Sequence, residues 1–168
     1  MKNDFWNSAF VNGLLLAFVS VIFILLQTLL PGSSVLITLG KLVATVGVLY
    51  YFMRQFSQAQ ESFSYGEGFK YGFTVSFCSA IALTVYTFVH NTYLFPEQME
   101  AQIEAVMQVM ERVGGSAQAP QMDLFLNNMS RFMLIGIFLN ATIMGLIAPA
   151  ILANFTKKEQ PLFTDSQE

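Results

Sequence analysis

The sequence predicts an all-α, polytopic membrane protein with four transmembrane helices and one peripheral amphipathic helix. Of its 168 residues, 54% are hydrophobic and only 11% are charged, whereas soluble domains carry roughly 25% charged residues. Four apolar runs are long enough to cross a hydrocarbon core of about 30 Å, which requires about 20 helical residues. Helices suit these runs because a helix satisfies its own backbone hydrogen bonds in lipid. The runs also lack the alternating pattern of membrane barrel strands.

The connections between the apolar runs define the expected order of helices. Residues 31–34 predict a tight turn, because proline and glycine favour turns, so the first two helices form an antiparallel hairpin. The tail, residues 157–168, is short and polar and is predicted to be disordered. We expect residues 1–168 to form a single membrane domain, with transmembrane helices over residues 10–30, 35–53, 69–94 and 132–155.

Residues 97–113 predict the peripheral amphipathic helix. Pro96 suits its first turn, and Gly114 and Gly115 end it. Glutamates occupy one face, and apolar residues recur at helical spacing on the other. We expect the apolar face to be buried against the spanning helices, the membrane boundary or a partner, while the acidic face stays in water. The apolar face consists of Met99, Ile103, Val106, Met107, Met110 and Val113.

The positive charges predict that both termini are cytoplasmic. If the N-terminus is cytoplasmic, five of the eight Lys and Arg residues are also cytoplasmic. Of the other three, Arg112 and Arg131 lie on the external side and Lys41 lies within the second helix. This distribution follows the positive-inside rule. Glu67 and Lys70 lie three residues apart at the inner boundary and are expected to pair. Aromatic anchors are expected at the same boundary: Trp6, Tyr50, Tyr51, Tyr65 and Tyr71.

The composition argues against several classes of function. The net charge is −3, and no basic stripe is present to follow a phosphate backbone, so nucleic acid is not an expected partner. The single cysteine, Cys78, rules out an internal disulfide and a cysteine-based metal site. The sequence contains no glycine-rich phosphate loop and no hydrolase or metalloprotease motif. We therefore expect no catalytic residues, no metal site and no cofactor, and we expect that the protein is not an enzyme.

Small residues recur at four-residue spacing in all four predicted transmembrane helices. In lipid, such residues let helix backbones approach closely, so that dispersion and weak hydrogen bonds hold the bundle together. We expect a packing role for these residues rather than a ligand-binding one. The candidate helix-packing residues are Gly13, Gly40, Gly68, Gly72, Ser76 and Gly145.

Polar residues within the apolar runs are the candidate functional residues. Lys41 shares a helix face with Thr38 and Thr45, which predicts that it points toward the bundle, where Gln27 could accept its hydrogen bond. The alternative is that the lysine stem snorkels to the outer interface, although intramembrane charges are often functional. The third helix carries a polar face, which serves either packing or a solute path. The candidate set is Lys41, Gln27, Thr84, Thr87, Asn91 and Asn140.

Two segments carry a family resemblance. The first is SYGEGFKYG at residues 64–72, which leads from the helix hairpin into the third helix, and the second is the exit Phe95-Pro96-Glu97. In this arrangement the chain resembles the domain of unknown function 4199 family of small bacterial membrane proteins over nearly its whole length. The resemblance implies a bacterial inner (cytoplasmic) membrane location. It brings no established activity and no catalytic residues.

These observations predict a non-enzymatic accessory or scaffold component that acts through helix contacts. Its expected partners are the lipid bilayer and either another membrane protein or further copies of the chain. The alternative is a small solute transporter or channel-like protein that uses the polar bundle residues. Lys41, the polar face of the third helix and a kink at Pro149 favour that alternative, since solute pathways are built from broken helices and buried polar groups.

Overall fold

The computed structural model describes residues 2–30, 34–112 and 119–158. These residues form α1 (Lys2–Leu29), α2 (Ser34–Gln58), α3 (Tyr65–Val89), α4 (Pro96–Arg112) and α5 (Ala119–Thr156), and a π-helical segment, His90–Leu94, continues α3. The all-α prediction is confirmed. Four helical stretches are long and apolar enough to cross a membrane: Asp4–Leu29, Val35–Gln58, Tyr65–Leu94 and Leu134–Thr156.

The helices extend beyond the apolar runs that predict them. α5 begins at Ala119 rather than near residue 132, and α1 begins at Lys2 rather than near residue 10. Polar residues continue a helix readily because its hydrogen bonds are made by the backbone, and Pro120 is tolerated in the first turn of α5. The predicted turn at residues 31–33, the break at Gly114 and Gly115, and the tail beyond residue 158 lie outside the described residues.

The chain divides into two compact units. Unit 1 comprises Met1–Leu83 and Ala141–Glu168, and unit 2 comprises Thr84–Asn140. Unit 1 therefore contains α1, α2, most of α3 and the end of α5. Its fully buried core residues come from each of these four helices: Ala9, Met53, Tyr71, Val75 and Ala153.

Small residues of unit 1 lie where α3 approaches its neighbours. A Cβ atom at Gly13 of α1 would lie 2.6 Å from Cys78 Cβ and 2.9 Å from the carbonyl oxygen of Val75. On the other side, a Cβ atom at Gly145 of α5 would lie 2.9 Å from Ser76 Cβ. Real Cβ atoms do not sit this close to other atoms, so larger residues at Gly13 and Gly145 would push helices apart.

Two glycines of α3 itself have similarly crowded surroundings. A Cβ atom at Gly72 would lie 2.7 Å from Met53 Sδ and 2.9 Å from Pro149 Cβ, so this glycine lies between α2 and α5. At Gly68, the nearest atoms would be a ring carbon of Phe63 and the hydroxyl oxygen of Thr156, both 3.2 Å away. α3 therefore contacts all three neighbouring helices of unit 1 through small residues.

The glycines of α2 differ from those of α3. A Cβ atom at Gly40 would make only an ordinary contact of 3.4 Å with the ring of Phe23, and no atom of the described residues would lie within 4 Å of one at Gly47. Gly47 thus lies on an uncovered face of α2. The small-residue spacing of this helix is not used for close packing within unit 1.

The end of α5 is tied to the connection between α2 and α3. Phe63 and Lys158 exchange backbone hydrogen bonds of 3.2 and 2.7 Å as an isolated antiparallel bridge. Ser57 donates its hydroxyl to the carbonyl oxygen of Thr156 over 2.7 Å, and Lys158 Nζ donates to the carbonyl oxygen of Gln60 over 3.2 Å. Lys158 therefore belongs to an ordered contact, although the sequence places it in a disordered tail.

α3 begins with a capping box. The Glu67 carboxylate accepts hydrogen bonds of 2.8 and 2.9 Å from the backbone amide and hydroxyl of Ser64, while the Glu67 amide donates back to the Ser64 hydroxyl. Reciprocal bonds of this kind satisfy amides that have no partner within the helix. The expected pair between Glu67 and Lys70 does not form, because the carboxylate is held at the helix start.

In unit 2, α4 contacts the π-helical segment. Ile103 and Met107 of α4 are half-buried, whereas Glu97, Glu100 and Glu104 are exposed. This distribution agrees with the amphipathic pattern. The structure does not describe three other side chains that the sequence places on the same apolar face, those of Met99, Val106 and Met110.

The contact at Gly13 generates a stability prediction. Gly13→Ala should lower the free energy of unfolding by about 1–3 kcal/mol, the usual cost of overpacking, because the new methyl group would meet Cys78 and the backbone of Val75. Gly47→Ala is the matched control, since its methyl group would contact none of the residues that the structure describes. Thermal unfolding in detergent measures both. Equal melting temperatures for the two variants would contradict the close approach of α1 and α3.

Candidate functional site

Tyr71 is the centre of a polar contact between α1 and α3. Its side chain is fully buried, and its hydroxyl accepts a hydrogen bond of 2.7 Å from Asn12 Nδ2. The same hydroxyl lies 2.8 Å from Ser8 Oγ. A buried tyrosine needs such a partner for its hydroxyl group. The expectation that Tyr71 is an anchor at the membrane boundary is therefore wrong, because it points into the bundle toward polar side chains of α1.

Aromatic rings surround the Tyr71 ring. Phe56 of α2 stacks on it with ring centroids 4.0 Å apart and planes only 7° from parallel. Phe5 of α1 meets the Tyr71 ring edge-on at 5.6 Å and Phe56 at 5.7 Å. Such aromatic pairs contribute about 0.5–1.5 kcal/mol beyond the area they bury. The three rings thus join the ends of α1, α2 and α3.

An open cleft of about 290 Å³ lies beside these rings. We call it the aromatic cleft. Its apolar lining consists of Phe5, Trp6, Phe56 and Phe63, and its polar lining of Gln60, Glu67 and Lys70. The Lys70 ammonium lies 5.9 Å from the centroid of the Phe5 ring, within the range of a cation–π contact. The cleft therefore combines several ring surfaces with one ammonium group and one carboxylate.

The polar residues proposed in the α1–α2 hairpin do not pair as expected. Gln27 Nε2 donates to Thr38 Oγ1 over 2.7 Å, so its side chain bridges the two helices. Lys41 is half-buried, and no hydrogen bond or ion pair joins it to the described part of the chain. The hydroxyl of Thr45, on the same face, is buried without a hydrogen-bond partner among the described residues. Lys41 thus lies on a partly covered face and makes no hydrogen bond with Gln27.

The remaining polar candidates belong to unit 2. Thr84 and Thr87 are half-buried, and Asn91 is buried in the π-helical segment next to His90. The Tyr86 hydroxyl lies 3.2 Å from His90 Nδ1. Asn140, another residue of the candidate set, is exposed on α5.

The π-helical segment gives these polar side chains an unusual backbone. The amide of Phe95 donates to the carbonyl oxygen of His90 over 2.8 Å, five residues back. The ring centroids of His90 and Phe95 lie 4.7 Å apart. Short π-helical turns frequently occur at functional sites. The widened turn was not predicted, because nothing in the local sequence separates it from an ordinary helical turn.

Sequence reasoning missed the contact around Tyr71. One signal was available: Ser8 and Asn12 lie four residues apart, on one face of α1, where its long apolar run begins. Among the residues that the structure describes, no three His, Cys, Asp or Glu side chains lie close enough together to hold a metal ion.

The hydroxyl of Tyr71 generates a second prediction. Tyr71→Phe keeps the ring stack but removes the group that joins Ser8 and Asn12, so the free energy of unfolding should fall by about 1 kcal/mol. Tyr51→Phe is the matched control because Tyr51 is exposed on α2. Thermal unfolding in detergent compares the two variants. A Tyr71→Phe protein as stable as the Tyr51→Phe protein would show that the hydrogen bonds contribute little.

Most of the chain matches one family model. The model, described as a protein of unknown function (DUF4199), matches residues 7–158. No curated protein and no solved structure matches the chain. The matched range includes the polar contact around Tyr71 and nearly all of the four stretches capable of spanning a membrane. The chain therefore belongs to the DUF4199 family of proteins of unknown function.

Proposed function

We propose that this protein is a non-enzymatic accessory or scaffold component of the bacterial inner membrane, and that it binds a helix of another membrane protein. The observation that carries the proposal is the uncovered face of α2. Val43 is 72% exposed and Tyr51 is 61% exposed, and Gly47, between them, has open space above it.

Five exposed residues of α2 follow one line along the helix. Leu36, Val43, Gly47, Tyr51 and Arg54 are all exposed, and their spacing of mostly three or four residues keeps them on the same face. We call this line the α2 outer stripe. A glycine on such a stripe lets a second helix come close, which favours helix association in lipid. The charge of Arg54 at its end favours a partner that carries an acidic residue at the same level.

We also propose that both termini are cytoplasmic. The exposed basic residues Arg54, Lys70, Lys157 and Lys158 lie at the ends of α2 and α5 and at the start of α3. The bridge between Phe63 and Lys158 joins these segments. Basic residues favour the cytoplasmic side of the inner membrane, so this end of unit 1 is assigned to the cytoplasm.

A solute transporter or channel-like protein is the second candidate. The observation in its favour is the burial of His90 and Asn91 at the end of a membrane-spanning stretch, because polar groups within membrane proteins commonly line solute paths. Solute flux in liposomes separates the two candidates. Solute flux no faster than in protein-free liposomes would exclude the transporter function.

The scaffold proposal predicts a specific crosslink. A photo-activatable residue in place of Val43 should join the protein to a partner in native membranes, whereas the same residue in place of Phe18, which is 63% exposed on α1, should not. Gly47→Leu should reduce the adduct at position 43 several-fold by blocking close approach. Gly66→Leu is the control, since Gly66 also has open space around it but lies outside the stripe. Adducts at neither position, or equal adducts at both, would argue against the proposal.

The proposed membrane topology predicts a labelling pattern. In a Cys78→Ser background, a cysteine replacing Glu61, which is exposed between α2 and α3, should react with an impermeant thiol reagent only after the cells are opened. A cysteine replacing Glu100, which is exposed on α4, should react in intact cells. The opposite pattern would invert the topology.

A further inference from the structure

We propose that the aromatic cleft binds the phosphodiester headgroup of an anionic phospholipid at the membrane boundary. The proposal concerns a face of unit 1 other than the α2 outer stripe, so it does not depend on the scaffold function. It rests on the depth of the cleft, its charge and its shape.

The cleft lies at the depth of lipid headgroups. Its lining residues come from the beginnings of α1 and α3, from the end of α2 and from the connection between α2 and α3. Lys70 is five residues from Tyr65, where a membrane-spanning stretch begins, which corresponds to about 7.5 Å along a helix. Trp6 is 62% exposed at the same end, and tryptophan side chains prefer the headgroup level of a bilayer.

Lys70 is the anion-binding group of the cleft. Its side chain is exposed. The negatively charged Glu67 carboxylate also lines the cleft, but it accepts hydrogen bonds from the backbone amide and hydroxyl of Ser64 at the start of α3, where the helix dipole offsets negative charge. The ammonium group instead rests over the ring of Phe5. A cation–π contact leaves the hydrogen-bond donors of a lysine available, so Lys70 can donate to a phosphate oxygen.

The apolar lining matches the part of a lipid below its phosphate. The four rings present flat hydrocarbon surface next to the ammonium group. A glycerol backbone and the first carbons of an acyl chain would lie against such rings, whereas a free phosphate ion gains nothing from them. Basic pockets between membrane helices bind lipid headgroups in this way. The cleft therefore favours a lipid over a soluble anion.

The position of Trp6 provides a direct measurement, because it is the one tryptophan of the chain and it lines the cleft. The protein is placed in phosphatidylcholine vesicles that contain a fixed minor fraction of brominated phosphatidylglycerol or brominated phosphatidylcholine. Bromine quenches a nearby indole. We expect the anionic lipid to occupy the cleft about fivefold more strongly, which corresponds to about 1 kcal/mol for one lysine near the surface.

Variants assign the preference to the cleft. Lys70→Gln should abolish the preference for the anionic lipid, and Lys70→Arg should keep it. Arg54→Gln removes a charge from the same end but outside the cleft lining, so it should leave the preference unchanged. Circular dichroism checks that each variant keeps its helices.

Three outcomes would overturn the proposal. Equal quenching by the two brominated lipids would show that the cleft does not select anionic lipid. An equal loss of preference in Arg54→Gln and Lys70→Gln would assign it to the general surface charge. Displacement of the brominated lipid by millimolar inorganic phosphate would identify a site for soluble anions instead.

Discussion

Unit 1 depends on the close approach of α3 to its three neighbours. Lipid does not drive membrane helices together as water drives the helices of a soluble protein, so their association depends on close van der Waals contact and hydrogen bonds. At Gly13, Gly72 and Gly145 the space for even one methyl group is already occupied by an atom of another helix. Small residues at these points therefore set the distance between the helices.

Hydrogen bonds complete the contacts where the helices end. The carbonyl oxygens in the last turn of a helix have no partner within that helix, and at a membrane boundary they need one. Ser57 supplies it for Thr156, and the bridge between Phe63 and Lys158 continues the contact. The ring stack of Phe56 on Tyr71 lies at the same end. The end of unit 1 is thus held by polar and aromatic contacts, while its middle is held by close backbone approach.

The sequence predicts the helices well because their apolar runs and the thickness of a bilayer leave few alternatives. It predicts the bounds less well, since the polar residues that begin α5 have no apolar pattern but continue a helix readily. The candidate site was harder to predict. A tyrosine at a boundary and a tyrosine in a core look alike in one sequence. Tyr71 is buried because Ser8 and Asn12, on another helix, satisfy its hydroxyl.

The pairing of polar side chains across helices was unpredictable for a related reason. Gln27 and Lys41 have similar depth in the hairpin, but depth does not fix which side chains meet. The side chain of Gln27 is bonded to Thr38, which lies closer to the turn of the hairpin. Rotation of a helix about its axis decides such pairs, and that rotation is set by the packing of all the neighbouring side chains.

The same packing explains where this protein is free to interact. Its described core in unit 1 is filled by large side chains such as Tyr71 and Met53, both fully buried. A filled core has little space for a ligand, and interactions fall to the surfaces that packing leaves uncovered. One such surface, the α2 outer stripe, is apolar and lies at membrane depth, so it suits another helix. The other, the aromatic cleft, carries an ammonium group at the membrane boundary, so it suits a charged headgroup. Because these two surfaces lie at different depths, we propose different partners for them.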